Sequence, residues 1–413
     1  MSHINYLLYI SQFNKFLNII RNKIPNVPNL RFPEFIYEWT TTSLELLTTN
    51  EKKSFAGGPF GSDLKTNDYT LDGVPIIQLS NITEDYLNFT ERLIFTSVKK
   101  ADSLIANNAY PGDLIIAKMM PAGRCCIAHD FYKRYVLGSD AIRVNLDIKK
   151  CNKLFMREQI NTKNIRKIIA SKTAGSTRQR IGIPELKNLK LYTPTIEEQN
   201  KIGKFLSMID ERILTQSKII NKLESLICTL RSTIFNSYNW EWNRLDTYIK
   251  SGIITLKRGN VIPKHDEDSE FKFPVYSSSI HNNGLMGYNN SYMFDKELIT
   301  WSVDGGGNFF YRPKHKFNVT NVCGIMEITD NSYNYRFLSE ILLAQHSRLI
   351  FDYQTKAHPS VIEKLYKIPN VDIKIQEKIA YIFELYYTKL QKEKDILSLY
   401  KKQKAYLLQN MFI

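Results

Sequence analysis

Residues Gly175 to Arg180 read GSTRQR, which puts two arginines, a glutamine and two hydroxyls into one short stretch. An arginine fork matches the O6 and N7 atoms of guanine and a glutamine amide matches the N6 and N7 atoms of adenine, so this stretch has the chemistry to read bases. Ser176, Thr177, Arg178, Gln179 and Arg180 are therefore candidate DNA contacts. Upstream, GGPFGSDLK at Gly57 to Lys65 offers Ser62 and Lys65 beside glycines that let backbone approach a ligand closely, a plausible phosphate contact. It lacks the G-x-x-x-x-G-K-[ST] spacing of a P-loop. AKMMPAGR at Ala117 to Arg124 places Lys118 and Arg124 around a turn at the end of a strand-like run.

The second half of the chain repeats the theme. TLKRGNVIPK contributes Lys257, Arg258 and Lys264 around a glycine, and Ser278 lies in a polar run, Ser277 to Gly284, suited to phosphates or base edges. Lys314 and His315 follow the glycines 305 to 307, and Lys356 and His358 fall where Gly175 to Arg180 falls in the first half. Each of these cations has a plain alternative as solvated surface, and the serine and asparagine clusters as ordinary turns.

Signals for catalysis are sparse. Asp-x-Lys triplets such as Asp63-Leu64-Lys65 are expected by chance in a chain this rich in lysine. There is no Gly-x-Ser-x-Gly elbow, no dinucleotide fingerprint and no pair of adjacent prolines. Cys125, Cys126 and His129 cluster without the CxxC pairs of a structural zinc site, so no metal site is expected.

Two breaker-poor segments must position these loops. Thr195 to Phe235 contains only Gly203 as a breaker, and Asp372 to Phe412 contains none. Each predicts a helix of about 40 residues, roughly 60 Å long. In the first, Ile202, Phe205, Leu206, Ile209, Ile213, Ile220, Leu223, Ile227, Leu230 and Ile234 recur at helical spacing, and from Ile220 onward the 3,4 rhythm is that of a coiled-coil seam. Ile379, Ile382, Phe383, Tyr386, Leu390, Leu397, Tyr400, Leu407 and Met411 do the same in the second, although Lys404 interrupts the stripe. The helices are expected to pair with each other and to supply a docking surface for partners through Ile209, Ile213, Leu223, Leu230, Tyr386, Leu390, Leu397 and Leu407.

The helices close an internal repeat. Aligning Gln199 with Gln376 places Leu230 on Leu407 and Phe235 on Phe412, and Glu38-Trp39 is matched by Glu241-Trp242. Between these anchors lie unlike modules, with 160 residues from Trp39 to Gln199 and 134 from Trp242 to Gln376. Short β-like runs at Val74 to Leu79, Asp113 to Ala117, Phe273 to Tyr276 and Leu298 to Trp301 make both modules α+β.

The chain's 413 residues suffice for two or three domains. With 43 % hydrophobic and 12 % aromatic residues it folds rather than remaining disordered. Lys and Arg number 56 against 41 Asp and Glu, a net charge of +15, which favours polyanionic partners. Five cysteines in no paired framework predict reduced thiols, and no apolar run reaches the roughly 18 to 20 residues of a membrane span. A cytoplasmic protein is expected. A basic two-domain scaffold or membrane-surface protein is the alternative, but it predicts basic amphipathic faces, whereas these cations sit in turns.

LRFPEF at Leu30 to Phe35 followed by Glu38-Trp39, GPFGSDLK, GVPIIQLSNI at Gly73 to Ile82, PGDLIIAK at Pro111 to Lys118, and the run from GSTRQRIGIPELKNLKL through PTIEEQNKIGKFLSMIDERI resemble the specificity subunit of type I restriction-modification systems. FPVYSSS, ITWSVDGGGNFFYRP and KIQEKIAYIF look like that family's second copy. The resemblance covers residues 27 to 413 and implies two target-recognition domains, 27–194 and 237–371, held apart by two antiparallel conserved helices, 195–236 and 372–413. It further implies a subunit without catalytic residues or a bound cofactor, which selects the double-stranded DNA sequence. Two modification (methyltransferase) subunits, carrying S-adenosylmethionine, would dock on it, with restriction subunits outside. Residues 1–26 precede the usual start as an N-terminal extension, and Ile375 stands where the first helix has the family's Glu198.

Overall fold

The computed structural model describes residues 26–49, 53–84, 86–88, 93–119, 121–174, 179–237, 239–262, 272–279, 281–304, 306, 308–349 and 356–413. It forms two compact units, one running to Gln216 and taking in Ile396–Ile413, the other Ser217–Asp395. Each long helix, Ile196–Ser237 and Ile373–Asn410, therefore contributes to both units.

In the first unit, strands β1 (Thr40–Ser43), β2 (Phe55–Gly57), β3 (Tyr69–Thr70), β4 (Val74–Ile77), β5 (Ile94–Thr96), β6 (Asn108–Ala109), β7 (Leu114–Ala117), β8 (Cys125–Ile127), β9 (Tyr135–Leu137), β10 (Ala141–Val144) and β11 (Lys190–Thr193) form three sheets. One has the order β2-β10-β7-β8, one β3-β5-β4-β9-β6, and β1 pairs with β11. Strands β4 and β7 are buried along their whole length, which is why VPII and LIIA are continuous apolar runs rather than alternating ones. Cys125 and Cys126 point into separate core clusters, and burial pushes the Cys126 thiol up to about 12. Among the described residues no group of His, Cys, Asp or Glu could hold a metal.

In the second unit, β12 (Glu241–Arg244) pairs with β19 (Lys367–Asn370), and β13 (Ile254–Arg258), β14 (Phe273–Tyr276), β15 (Leu285–Asn289), β16 (Phe294–Ser302), β17 (Phe309–Val319) and β18 (Cys323–Ile328) form one sheet of order β13-β18-β16-β17-β14-β15. Gly324 is there because a side chain would fall 2.0 Å from the Trp301 ring.

Both modules are closed in the same way. Each starts and ends on a two-stranded antiparallel ribbon that leads into a long helix, Thr40 opposite Thr193 and Glu241 opposite Asn370. Pro194 directly follows β11, and Pro369 lies inside β19. The anchor glutamines act alike: the Gln199 side chain accepts from the Asn152 amide at 2.9 Å, and Gln376 from the Asn334 amide at 2.9 Å. Asn152 and Asn334 each cap a helix, Lys153–Asn161 and Tyr335–His346, through their side-chain oxygens. Gly203 lets the first of these approach the long helix, since a Cβ there would meet Asn152 Oδ1 at 2.6 Å.

Within each unit the long helices meet antiparallel. In the first, Lys404 bonds Asp210 at 2.6 Å, and in the second, Lys394 bonds Glu224 at 2.7 Å. Lys404, which interrupts the second stripe, is paired there. It is 8 % exposed and joins Arg157, Glu158 and Asp210 in a buried ion network. The second unit answers with Arg231 on Glu340 at 2.9 Å and on the Tyr387 hydroxyl at 2.9 Å. Met411 and Phe412 are buried against Trp39 and Phe155, matching Phe235 against Trp242 and Phe337 against Trp240 in the other unit.

Candidate nucleic-acid interface

In the first unit the site is organised by Asp140, in the turn between β9 and β10. Its carboxylate bonds Arg180 at 3.0 Å and its carbonyl accepts from the Lys118 amide at 2.7 Å. The Lys118 carbonyl accepts in turn from the Ile181 amide at 3.0 Å, so the segment ending the GSTRQR run is pinned to the end of β7. Gln179 is exposed beside it, its side-chain oxygen accepting from the Thr173 hydroxyl at 3.4 Å. Arg124 follows the same turn, with the Ala117 amide donating to its carbonyl at 2.8 Å. Its half-buried side chain lies close enough to Arg166 to help lower that guanidinium's pKa, which burial depresses first and Glu84 partly restores.

Beside Asp140, a cavity of about 330 Å³ opens between the Pro59–Gly61 turn and the Gly138–Asp140 turn, lined by Phe60, Leu64, Gln78, Ser80, Ser139 and Asp140. The Phe60 ring is 83 % exposed at its lip. Among the glycines of this run, Gly61 is open and Gly58 packs closely on the chain. A Cβ there would fall 1.8 Å from the Gly138 carbonyl oxygen, so its close approach is to the chain itself. Ser62 and Lys65 are exposed on the loop that follows, and Lys65 is fixed through its amide to the Asp68 carboxylate at 2.8 Å.

The second unit builds the same corner differently. The Val303 carbonyl, just past the end of β16, accepts from the Ala357 amide at 3.0 Å, as Lys118 does from Ile181. Lys356 therefore occupies the place of Arg180, and it too pairs with an aspartate, Asp304, at 3.0 Å. Ser278 joins this corner because its carbonyl accepts from the Ser302 hydroxyl at 2.6 Å. His358 is used by its own helix, Pro359–Leu365, whose N-terminus it caps through Ser360. His315 packs on Phe317 and bonds the Tyr276 hydroxyl at 3.2 Å, while Lys314 next to it is exposed. Lys257 is held by Glu327 at 3.1 Å, and Arg258 donates to the Asn321 carbonyl at 2.7 Å. Ser176, Thr177, Arg178 and Lys264 lie outside the described residues.

Of the eight helix positions expected to face partners, Ile209, Leu223, Leu390 and Leu407 are buried and Ile213, Leu230, Tyr386 and Leu397 half-buried within the chain. The four half-buried positions keep part of their surface accessible, and among the more exposed apolar positions of the two helices are Met208, Leu226, Tyr381, Leu385, Leu399 and Tyr406, between 43 and 64 % exposed. Sequence reasoning missed Asp140, Arg166 and Arg312; a lone aspartate after Gly138-Ser139 and two arginines inside regular elements carry no local signal.

Two unlike α+β modules, each closed by a ribbon onto paired long helices and each fixing cationic loops at the end of a central strand, define a two-module DNA reader. The chain belongs to the type I restriction modification DNA specificity domain family, which matches it at residues 37–225 and 247–399. Among relatives from Mycoplasma pneumoniae, the putative type I specificity subunit S.MpnORF289P N-terminus is 34 % identical over 149 residues, 35 % of this chain and 78 % of that protein. The type I restriction enzyme MpnII specificity subunit is 30 % identical over 33 % of this chain and 42 % of that protein, so this match spans less than half of the relative. The fold is that of the type I restriction-modification S subunit from M. genitalium, with a TM-score of 0.62 at 20 % identity, covering 94 % of this chain and 99 % of that one. A structure reported for complex assembly and conformational transition of the type I restriction-modification system gives 0.52 at 12 % identity, covering 93 % and 99 %. Among the described residues no helix is long and apolar enough to cross a membrane.

Proposed function

We propose that this chain is the non-catalytic specificity subunit of a type I restriction-modification complex, reading a bipartite, asymmetric sequence in double-stranded DNA. The observation that carries the reading is the repeated corner, in which Arg180 and Lys356 each pair with an aspartate while the amide of the next residue, Ile181 or Ala357, bonds the chain at the end of a central strand. Two corners on unlike modules fit two unlike half-sites. Lys118, Arg124 and Gln179 supply further contacts in the first, Ser278 and Lys314 in the second, with Ser62 and Lys65 on phosphate. The target-recognition domains are assigned to 27–194 and 237–371, and residues 1–26 to an extension.

Methyl transfer and cleavage belong to partners on this reading. Two modification subunits, which would bind S-adenosylmethionine, dock along the long helices in the cytoplasm, and restriction subunits join the assembly. Exposed apolar positions along the helices are available for this docking, among them Leu226 and Leu385 in the second unit and Leu399 and Tyr406 in the first. The test is selection from random duplex DNA by the purified chain with its methyltransferase. A bipartite motif with a strongly salt-dependent affinity is expected; recovery of sequences without a common motif would overturn the reading.

A further inference from the structure

Arg312, in the middle of β17, is 3 % exposed and has no carboxylate partner among the described residues. Its guanidinium lies 3.6 Å from the centre of the Tyr276 ring and 4.9 Å from that of Phe310, and its Nε donates to the Thr300 hydroxyl at 3.0 Å. Burial lowers its pKa to about 10, so it is still charged at neutral pH. Nη2 also donates to the Asn283 carbonyl at 2.7 Å, which ties Arg312 to the loop before β15.

The loop it holds turns through left-handed backbone. Asn282 and Asn283 have φ of 49° and 52°, and with Asn26 they are the non-glycine residues at positive φ among those described, a conformation asparagine takes more readily than other residues with side chains. Here the loop's polar backbone is tied inward. The Ser277 amide donates to the Gly284 carbonyl at 2.7 Å, and the His281 amide to the Ser279 hydroxyl at 3.1 Å. Gly284, at φ 80°, is closely packed, with a Cβ there lying 3.0 Å from the Ser277 carbonyl oxygen. The side chains of Asn282 and Asn283 are exposed, and neither amide bonds another described residue. Through Ser278 and Ser302 the loop belongs to the corner that carries Lys356.

We infer that Asn282 and Asn283 read base edges in the second half-site, at least one of them an adenine through its N6 and N7 atoms, and that Arg312 is the positioning residue that fixes their loop. An asparagine amide offers one donor and one acceptor in the spacing adenine presents in the major groove, and rigid support converts that match into discrimination. The inference rests on the reading of this chain as a type I specificity subunit.

The test compares the full chain in complex with its methyltransferase, wild type against Asn282→Gly, Asn283→Gly and Arg312→Lys, by the sequences each methylates in a random duplex library. Glycine keeps the left-handed backbone while removing the amide, so folding is preserved. One or both asparagine variants are expected to lose discrimination by about 5- to 150-fold at an A·T pair of one half-site, with the other half-site intact. Arg312→Lys keeps the charge and is expected to relax the same pair, and its effect combined with Asn283→Gly should be less than the product of the two. Wild-type motifs from both glycine variants would overturn the base-reading assignment. Uniform loss across all sequences would overturn it too, since that marks phosphate contacts. A wild-type complex without any motif would instead overturn the underlying functional reading.

Discussion

At the scale of single residues, cations at the first site divide by what holds them. Lys65 is fixed only through its backbone, leaving its ammonium exposed as a point charge, whereas Arg180 is aimed by Asp140. Lys65→Ala should therefore weaken binding about equally on all sequences and reduce the slope of log affinity against log salt by about one, measured by titration at several salt concentrations. Asp140→Ala should instead relax sequence preference in one half-site while leaving that slope nearly unchanged; an altered slope with intact preference would count against it. A different residue sets a pH response. Burial lowers the pKa of His346, whose Nδ1 lies 3.0 Å from the Tyr366 hydroxyl. The unfolded chain then binds the proton more readily than the folded one, so stability falls as pH drops through about 6.5 toward the folded pKa. The urea midpoint of the second unit should therefore fall between pH 7 and 5, and His346→Gln should flatten that fall.

Elements were largely legible in the sequence, and the reason is periodicity. Breaker-free stripes and fully buried strands write their burial into the local pattern, so both long helices and β4, β7, β14 and part of β16 could be read directly. Contacts between distant segments leave no such trace. The stripe made Lys404 look like a flaw, because its partners Glu158 and Asp210 lie on other elements. The buried network predicts a sharp asymmetry. Lys404→Ala removes one partner from two carboxylates and should cost about 3 to 5 kcal/mol, read as a lower urea midpoint of the first unit. Replacing Lys404, Asp210 and Glu158 together with apolar residues of similar volume should recover most of it. Equal destabilisation by the single and triple variants would show that the charges act only through packing.

At the scale of the whole molecule, two like frames carry unlike contents. Trp39, Gln199 and Phe412 in one unit and Trp242, Gln376 and Phe235 in the other make corresponding contacts, although the strands between them are arranged in different sheets. The corner cations follow the frame, since Ile181 and Ala357 next to them make equivalent backbone bonds, whereas the other residues around them do not follow it. Frame and reader are therefore separable. Exchanging residues 45–185 for the corresponding module of a relative keeps Trp39 to Ser43 and Leu189 to Gln199, hence β1, β11, the ribbon between them and Gln199 itself. It replaces Lys65, Lys118, Arg124, Asp140 and Arg180 together. One boundary needs care, because Asn152 and Phe155 are exchanged while Gln199 and Phe412, which they touch, are retained. A donor with asparagine and an aromatic residue at those places should keep the chain folded. Sequencing the methylated sites of the exchanged complex should then show one half of the bipartite motif changed to the donor's and the other half unaltered. A change in both halves would mean that the modules read jointly, and the separation of frame from reader would be wrong.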